Sequence, residues 1–167
     1  KNNIFDLGIT GIAKTKDREK FAYFSTSYIN GGKTPISREE DVNKLNTLEK
    51  INNKNIKIVV NKGGTNELYV KRNFPNAQIH YENDNNNVFE RIKDKTVDLM
   101  ITDSIEAEYM ENKNCGLKRT MPNILLDKFE ICIMLPQDKI LKNKINKAMN
   151  ELENNGFIKE TISKYLD

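Results

Sequence analysis

Histidine and cysteine are almost missing from this sequence. One histidine, His80, and two cysteines, Cys115 and Cys132, stand among 167 residues. The cysteines form no CxxC pair, so the inventory disfavours a zinc site and a Cys–His nucleophile. It predicts two free, partly buried thiols, a structural His80 and neither metal nor cofactor. No apolar run approaches the ~18 residues that span a bilayer, and no basic-then-apolar leader is visible at the start. An excess of one charge is missing too: 27 basic and 24 acidic residues leave +3. That is too little for the concentrated basic face that nucleic acid requires. The P-loop lysine and the GxGxxG fingerprint are also lacking, which disfavours nucleotide binding. What is present is polar but foldable: 37% hydrophobic and 31% charged residues, with Ile, Leu, Val and Phe spread along the whole length. The length suits one domain or two small lobes.

The middle of the chain is the most regular. Residues 56–60 read as a strongly apolar strand, followed by Gly63-Gly64 opening a helix to about Phe74. Strands at 78–81 and 98–102 alternate with helices at 87–95 and 104–111. This alternation predicts a parallel, doubly wound sheet. Residues 5–10 read as a strand, and 28–36, with Gly31-Gly32 and Pro35, as a crossover or hinge. From 112 to 126 the pattern is irregular. A strand is expected at 129–135, then helices at 141–153 and 157–165 split at Gly156, where a helix C-cap favours glycine.

Four constellations can carry chemistry. Gly63-Gly64-Thr65-Asn66 lies between a strand and a helix, where unpaired N–H groups and the dipole attract an anion. A plain tight turn with an N-cap gives the same pattern. Asp103 and Glu106 follow the strand at 98–102, again at a carboxyl end, where open α/β sheets bind ligands. Their spacing is also that of a capping box, with Asp103 as cap and Glu106 reaching back. Alternatively, a carboxyl group enclosed above the sheet has a raised pKa and donates a proton. Arg18 can clamp a carboxylate or sit solvated at the surface. Lys33, between the expected hinges, can face a cleft or point to water.

These stretches resemble a known family. Phe5-Asp6-Leu7-Gly8-Ile9-Thr10-Gly11, Thr15-x-x-Arg18, Phe24-Ser25-x-x-Tyr28, Gly63-Gly64-Thr65-Asn66-Glu67 and the segment 97–103 are similar to extracellular solute-binding proteins of the polar amino-acid type. The likeness covers nearly the whole chain. Within that family, three segments resemble the periplasmic cyclohexadienyl (prephenate/arogenate) dehydratases. They are Gly32-Lys33-Thr34-Pro35-Ile36, Asn61-x-Gly63-Gly64-Thr65-Asn66-Glu67 and Thr102-Asp103-Ser104-Ile105-Glu106-Ala107. Glu106 discriminates, because plain binders usually carry a small or apolar residue there.

The resemblance implies an α/β, periplasmic-binding-protein-like fold of two doubly wound lobes around a cleft. Residues 1–30 and 128–167 would form the first lobe, N-terminally incomplete, and 31–127 the second. It implies a periplasmic or extracellular location and self-association through the open edge of the first lobe. Glu106 is expected as general acid and Arg18 as the grip on a substrate carboxylate. Thr65 and Asn66 would hold an anionic group, and Asn61 would orient the ring or hydroxyl. Lys33 would complement negative charge, while Asp103 matches the residue that grips an α-amino group. Thr10 and Gly11 are expected against the substrate. Ala13 departs from the family, which often has Ser or Thr there. The implied reaction converts prephenate or arogenate to phenylpyruvate or phenylalanine, with loss of water and carbon dioxide and without a cofactor. The alternative is a non-catalytic amino-acid receptor feeding a transporter.

Overall fold

A computed structural model describes residues 6–113 and 115–166, with Asn86 described by its backbone alone. The chain divides into two compact units, Lys1–Gly31 with Lys128–Asp167, and Gly32–Asp127.

The Gly32–Asp127 unit is built on strands β2 (Ile29–Arg38, entering from the other unit), β3 (Lys57–Asn61), β4 (Gln78–Glu82), β5 (Leu99–Asp103) and β6 (Leu117–Arg119). Their order is β4-β3-β5-β2-β6. Strand β3 forms because Ile58, Val59 and Val60 are β-branched and wholly buried. Both faces of a strand are buried when helices cover both sides of the sheet. On one face Ile58, Val60, Leu99 and Ile101 pack with Val70 of α3 (Thr65–Asn73), Phe74 directly after that helix and Ile51 of α2 (Leu48–Ile51). On the other, Ile36, Val59 and Met100 pack with Val88, Phe89 and Ile92 of α4 (Val88–Lys93) and Ala107 of α5 (Ser104–Asn112). Alternate residues of each strand therefore serve opposite cores.

Two expectations are corrected here. The sheet is mixed rather than parallel: β3 runs parallel to β4 and β5, but β2 is antiparallel to both β5 and β6. The segment read as a crossover is part of the ten-residue strand β2. Its breakers are accommodated individually. Pro35 lies opposite Ile101, and its carbonyl accepts from the Thr120 N–H at 2.9 Å, so the missing donor leaves the ladder usable. At Gly32 the backbone of Leu125–Leu126 approaches so closely that a Cβ would lie 2.7 Å from the Leu126 carbonyl oxygen.

In the other unit, β1 (Tyr23–Phe24) pairs antiparallel with β8 (Met134–Leu135). Ala22, Phe24 and Cys132 form a small core there. Gly8 bridges Met134, and no longer strand occurs among the described part of residues 5–10; Phe5 lies outside the described residues. The strand expected at 129–135 is two pieces, β7 (Leu126–Ile131) and β8. Helix α6 (Lys139–Asn154) starts at Asp138, whose carboxylate accepts from the N–H groups of Ile140 and Leu141. It ends before Gly156, at φ 81°, and α7 (Phe157–Leu166) follows. Both cysteines are free thiols. No helix among the described residues is long and apolar enough to cross a membrane.

Candidate functional site

The carboxyl ends of β3 and β5 meet the start of α3 and the middle of β2 in the Gly32–Asp127 unit. Strand register sets the first contact. Lys33 lies directly opposite Asp103 in the antiparallel β2–β5 pair. Its side chain is 2% exposed, and its ammonium is 2.5 Å from Asp103 Oδ1. The same nitrogen donates to Thr65 Oγ1 at 3.0 Å and to Asn66 Oδ1, both in the first turn of α3. A buried ammonium needs its donors filled, and three acceptors do so here. Asp103 stands at the N-cap position of α5 but makes no side-chain capping bond. The capping-box alternative therefore fails for Asp103: the carboxylate turns to Lys33, because a charge-assisted bond to a buried ammonium outweighs a cap of ~1 kcal/mol.

Glu106, in the first turn of α5, does not reach back to the helix start. Its Oε2 accepts from the hydroxyl of Thr102. The residue as a whole remains open to solvent, but protein atoms crowd its carboxyl, and that crowding governs the cost of ionising it. Desolvation pushes its pKa up from the ordinary value. The Thr102 bond opposes this, the Asp103 charge adds to it and the Lys33 charge opposes it. The sequence reading passed over Thr102, which is wholly buried and also accepts from Asn66 Nδ2 at 3.2 Å. Its only sequence signal is a hydroxyl ending an otherwise apolar strand.

The turn before α3 is shaped by Gly63, at φ 81°. Glu67 Oε2 accepts from the Gly63 N–H and Oε1 from Lys71, and these bonds hold its carboxyl below the usual range, Lys71 first. Asn61 ends β3, and its Nδ2 is buried with no hydrogen-bond partner. The structure thus brings Lys33, Thr65, Asn66, Asp103 and Glu106 into one network through Thr102, with Asn61 on the same strand end. Arg18, Thr10 and Gly11 belong to the other unit. Arg18 lies in α1 (Lys16–Glu19), its Nη1 donating to the Ala13 carbonyl at 2.6 Å, and the Thr10 carbonyl accepts from the Tyr28 hydroxyl at 2.6 Å. A hollow of about 400 Å³ lined by Glu19, Tyr23, Ser25 and Lys142 lies in that unit and includes none of the network residues. Among the described residues no group of three or more His, Cys, Asp or Glu is arranged to hold a metal ion.

The sequence matches the bacterial extracellular solute-binding proteins, family 3, over residues 1–167. It is 32% identical over 163 residues to the cyclohexadienyl dehydratase of Pseudomonas aeruginosa, covering 98% of this chain and 61% of that protein. The crystal structure of an ancestral amino acid-binding protein, described as a precursor of cyclohexadienyl dehydratase, superposes with a TM-score of 0.88 at 23% identity. That match covers 99% of this chain and 70% of the ancestral one. An ancestral cyclohexadienyl dehydratase is 32% identical with a TM-score of 0.56, over 97% of this chain and 68% of its own. The chain spans about three fifths of the length of the curated relatives it matches. It belongs to the family 3 extracellular solute-binding proteins, with their mixed α/β fold.

Proposed function

We propose that this chain carries the catalytic carboxyl of a cyclohexadienyl dehydratase acting outside the cytoplasm on prephenate, arogenate or both. The observation that carries the reading is Glu106. It is a carboxyl group with a raised pKa, held at a strand end by a buried hydroxyl and neighboured by a buried ammonium.

Prephenate is a cyclohexadienol with a ring carboxylate and a pyruvyl side chain. In the proposed reaction the bond between the ring and its carboxylate breaks, and carbon dioxide leaves. The released electron pair enters the ring, the opposite C–O bond breaks, and the departing oxygen takes a proton from Glu106. Water leaves, the ring is aromatic, and Glu106 is an anion that regains a proton from solvent. The step has no net oxidation, so it balances without a redox partner. The N–H groups at the start of α3 would hold anionic oxygens of the substrate, with Thr65 and Asn66 beside them and the positive charge of Lys33 complementing the negative charge behind them. Asn61 would supply its unused Nδ2 donor to the ring or its hydroxyl. Arg18 would take a substrate carboxylate bidentately, with Thr10 and Gly11 nearby.

A second reading, a non-catalytic amino-acid receptor, draws support from the fold shared with the ancestral amino acid-binding protein. Against it, the carboxylate suited to an α-ammonium, Asp103, is already paired with Lys33. The test is Glu106→Gln. Loss of prephenate turnover by ~10²–10⁴-fold supports general-acid catalysis; turnover at the wild-type rate overturns it. Calorimetric binding of arginine, glutamine or cystine without prephenate turnover by the unaltered protein would establish the receptor instead.

A further inference from the structure

Thr102 joins the two parts of the network, and its hydrogen-bond directions are determined by its neighbours. Lys33 Nζ has donors only, and it is bonded to Asn66 Oδ1. The Asn66 amide is therefore oriented with its oxygen toward Lys33 and its NH₂ toward Thr102, whose Oγ1 lies 3.2 Å from Nδ2. A hydroxyl has one hydrogen and two acceptor sites. Asn66 donates into one acceptor site, and the hydroxyl gives its hydrogen to Glu106 Oε2. In a protonated carboxyl the carbonyl oxygen is the better acceptor, so accepting this bond at Oε2 favours the acidic proton on Oε1.

We infer that Thr102 is a positioning residue: its hydroxyl, oriented by Lys33 through Asn66, anchors Glu106 by Oε2 and leaves the acidic proton on Oε1. The catalytic consequence rests on the proposed role of Glu106 as general acid; the hydrogen bond does not. Thr102 is 0% exposed, so no water competes for its hydroxyl. The charged groups acting on Glu106 are Asp103, from the end of β5, and Lys33, from β2. Donation from Thr102 favours the ionised carboxylate, whereas burial disfavours it.

Two measurements on the full chain test this: titration of Glu106 by carbon-13 NMR of labelled glutamate carboxyls, and the pH profile of prephenate turnover. Thr102→Val removes the donor at nearly constant volume. It should raise the Glu106 titration midpoint by about one pH unit, lower kcat ~10-fold with KM little changed, and move the basic limb of kcat upward by the same amount. Thr102→Ser should stay close to wild type in all three. Thr102→Ala carries the same expectation as the valine variant should that one fold poorly. An unchanged or lowered midpoint on loss of the hydroxyl, or a serine variant that behaves like valine, overturns the inference. Absence of turnover even in the unaltered protein would overturn the dehydratase reading, while the titration would still decide the hydrogen bond.

Discussion

Replacing Lys33 with methionine should destabilise the protein far more than a lysine substitution usually does. The ammonium is buried, 2.5 Å from Asp103 Oδ1. At that separation and an effective dielectric constant of about 20, the attraction is ~6–7 kcal/mol. Desolvation of the two charges offsets several kcal/mol of it, so the pair contributes little net stability. Removing only one partner is different, because Asp103 keeps its desolvation cost and loses its attraction, at ~3–5 kcal/mol. The Asp103 side chain is 21% exposed, and water reaching it brings the expected loss to about 3 kcal/mol. For a chain of this size that lowers Tm by ~6–12 °C. Thermal unfolding at neutral pH followed by circular dichroism is the assay, with Lys33→Met, Asp103→Asn and the double variant forming a cycle. The double variant should recover most of the loss, since it leaves no buried unpaired charge. A drop below about 2 °C in the single variant, or losses in the double variant that simply add, would refute the reasoning.

Two further outcomes follow from particular contacts. Gly32→Ala places a Cβ 2.7 Å from the Leu126 carbonyl oxygen and 2.9 Å from Leu125 Cβ, so backbone must shift; the expected cost is ~1–3 kcal/mol by denaturant titration, and a neutral result would mean that the Leu125–Leu126 approach yields freely. Because folding raises the Glu106 pKa, it favours the protonated form; the stability this contributes is full below the ordinary glutamate value of about 4.3 and lost as pH rises through the folded-state value. Glu106→Gln cannot ionise, so its Tm should gain on wild type between about pH 4 and neutrality, and a difference that is constant or shrinks with pH would contradict the raised pKa.

Local pattern made much of the fold legible. The β-branched run at 56–60 marks the strand Lys57–Asn61, Gly63-Gly64 precedes the helix Thr65–Asn73, and Gly156 separates the last two helices. These signals depend on neighbours a few residues apart, so a single sequence carries them. Strand direction does not, since it depends on which distant segment a strand meets. Pro35 and the two glycines before it look like a break when read alone. They fit a strand only because Ile101, Thr120 and Leu125–Leu126 lie where they do. The three-residue strand Leu117–Arg119 was illegible for the same reason, being short and paired only by tertiary contact.

The candidate site divides along the same line. From composition and order alone came the near-absence of histidine and cysteine, the polar turn at Gly63–Asn66 and two carboxylates after an apolar strand, because those are statements about residue types and spacing. Only the tertiary structure decided what each polar atom does. Asp103 and Glu106 have a spacing that suits helix capping, yet one turns to an ammonium seventy residues away in sequence and the other to a buried hydroxyl. Local spacing ranks the bonds a side chain can make with its own helix. It takes the folded sheet to bring Lys33 up to Asp103 and to bury the Thr102 hydroxyl four residues before Glu106, and in this unit those partners prevail over the cap.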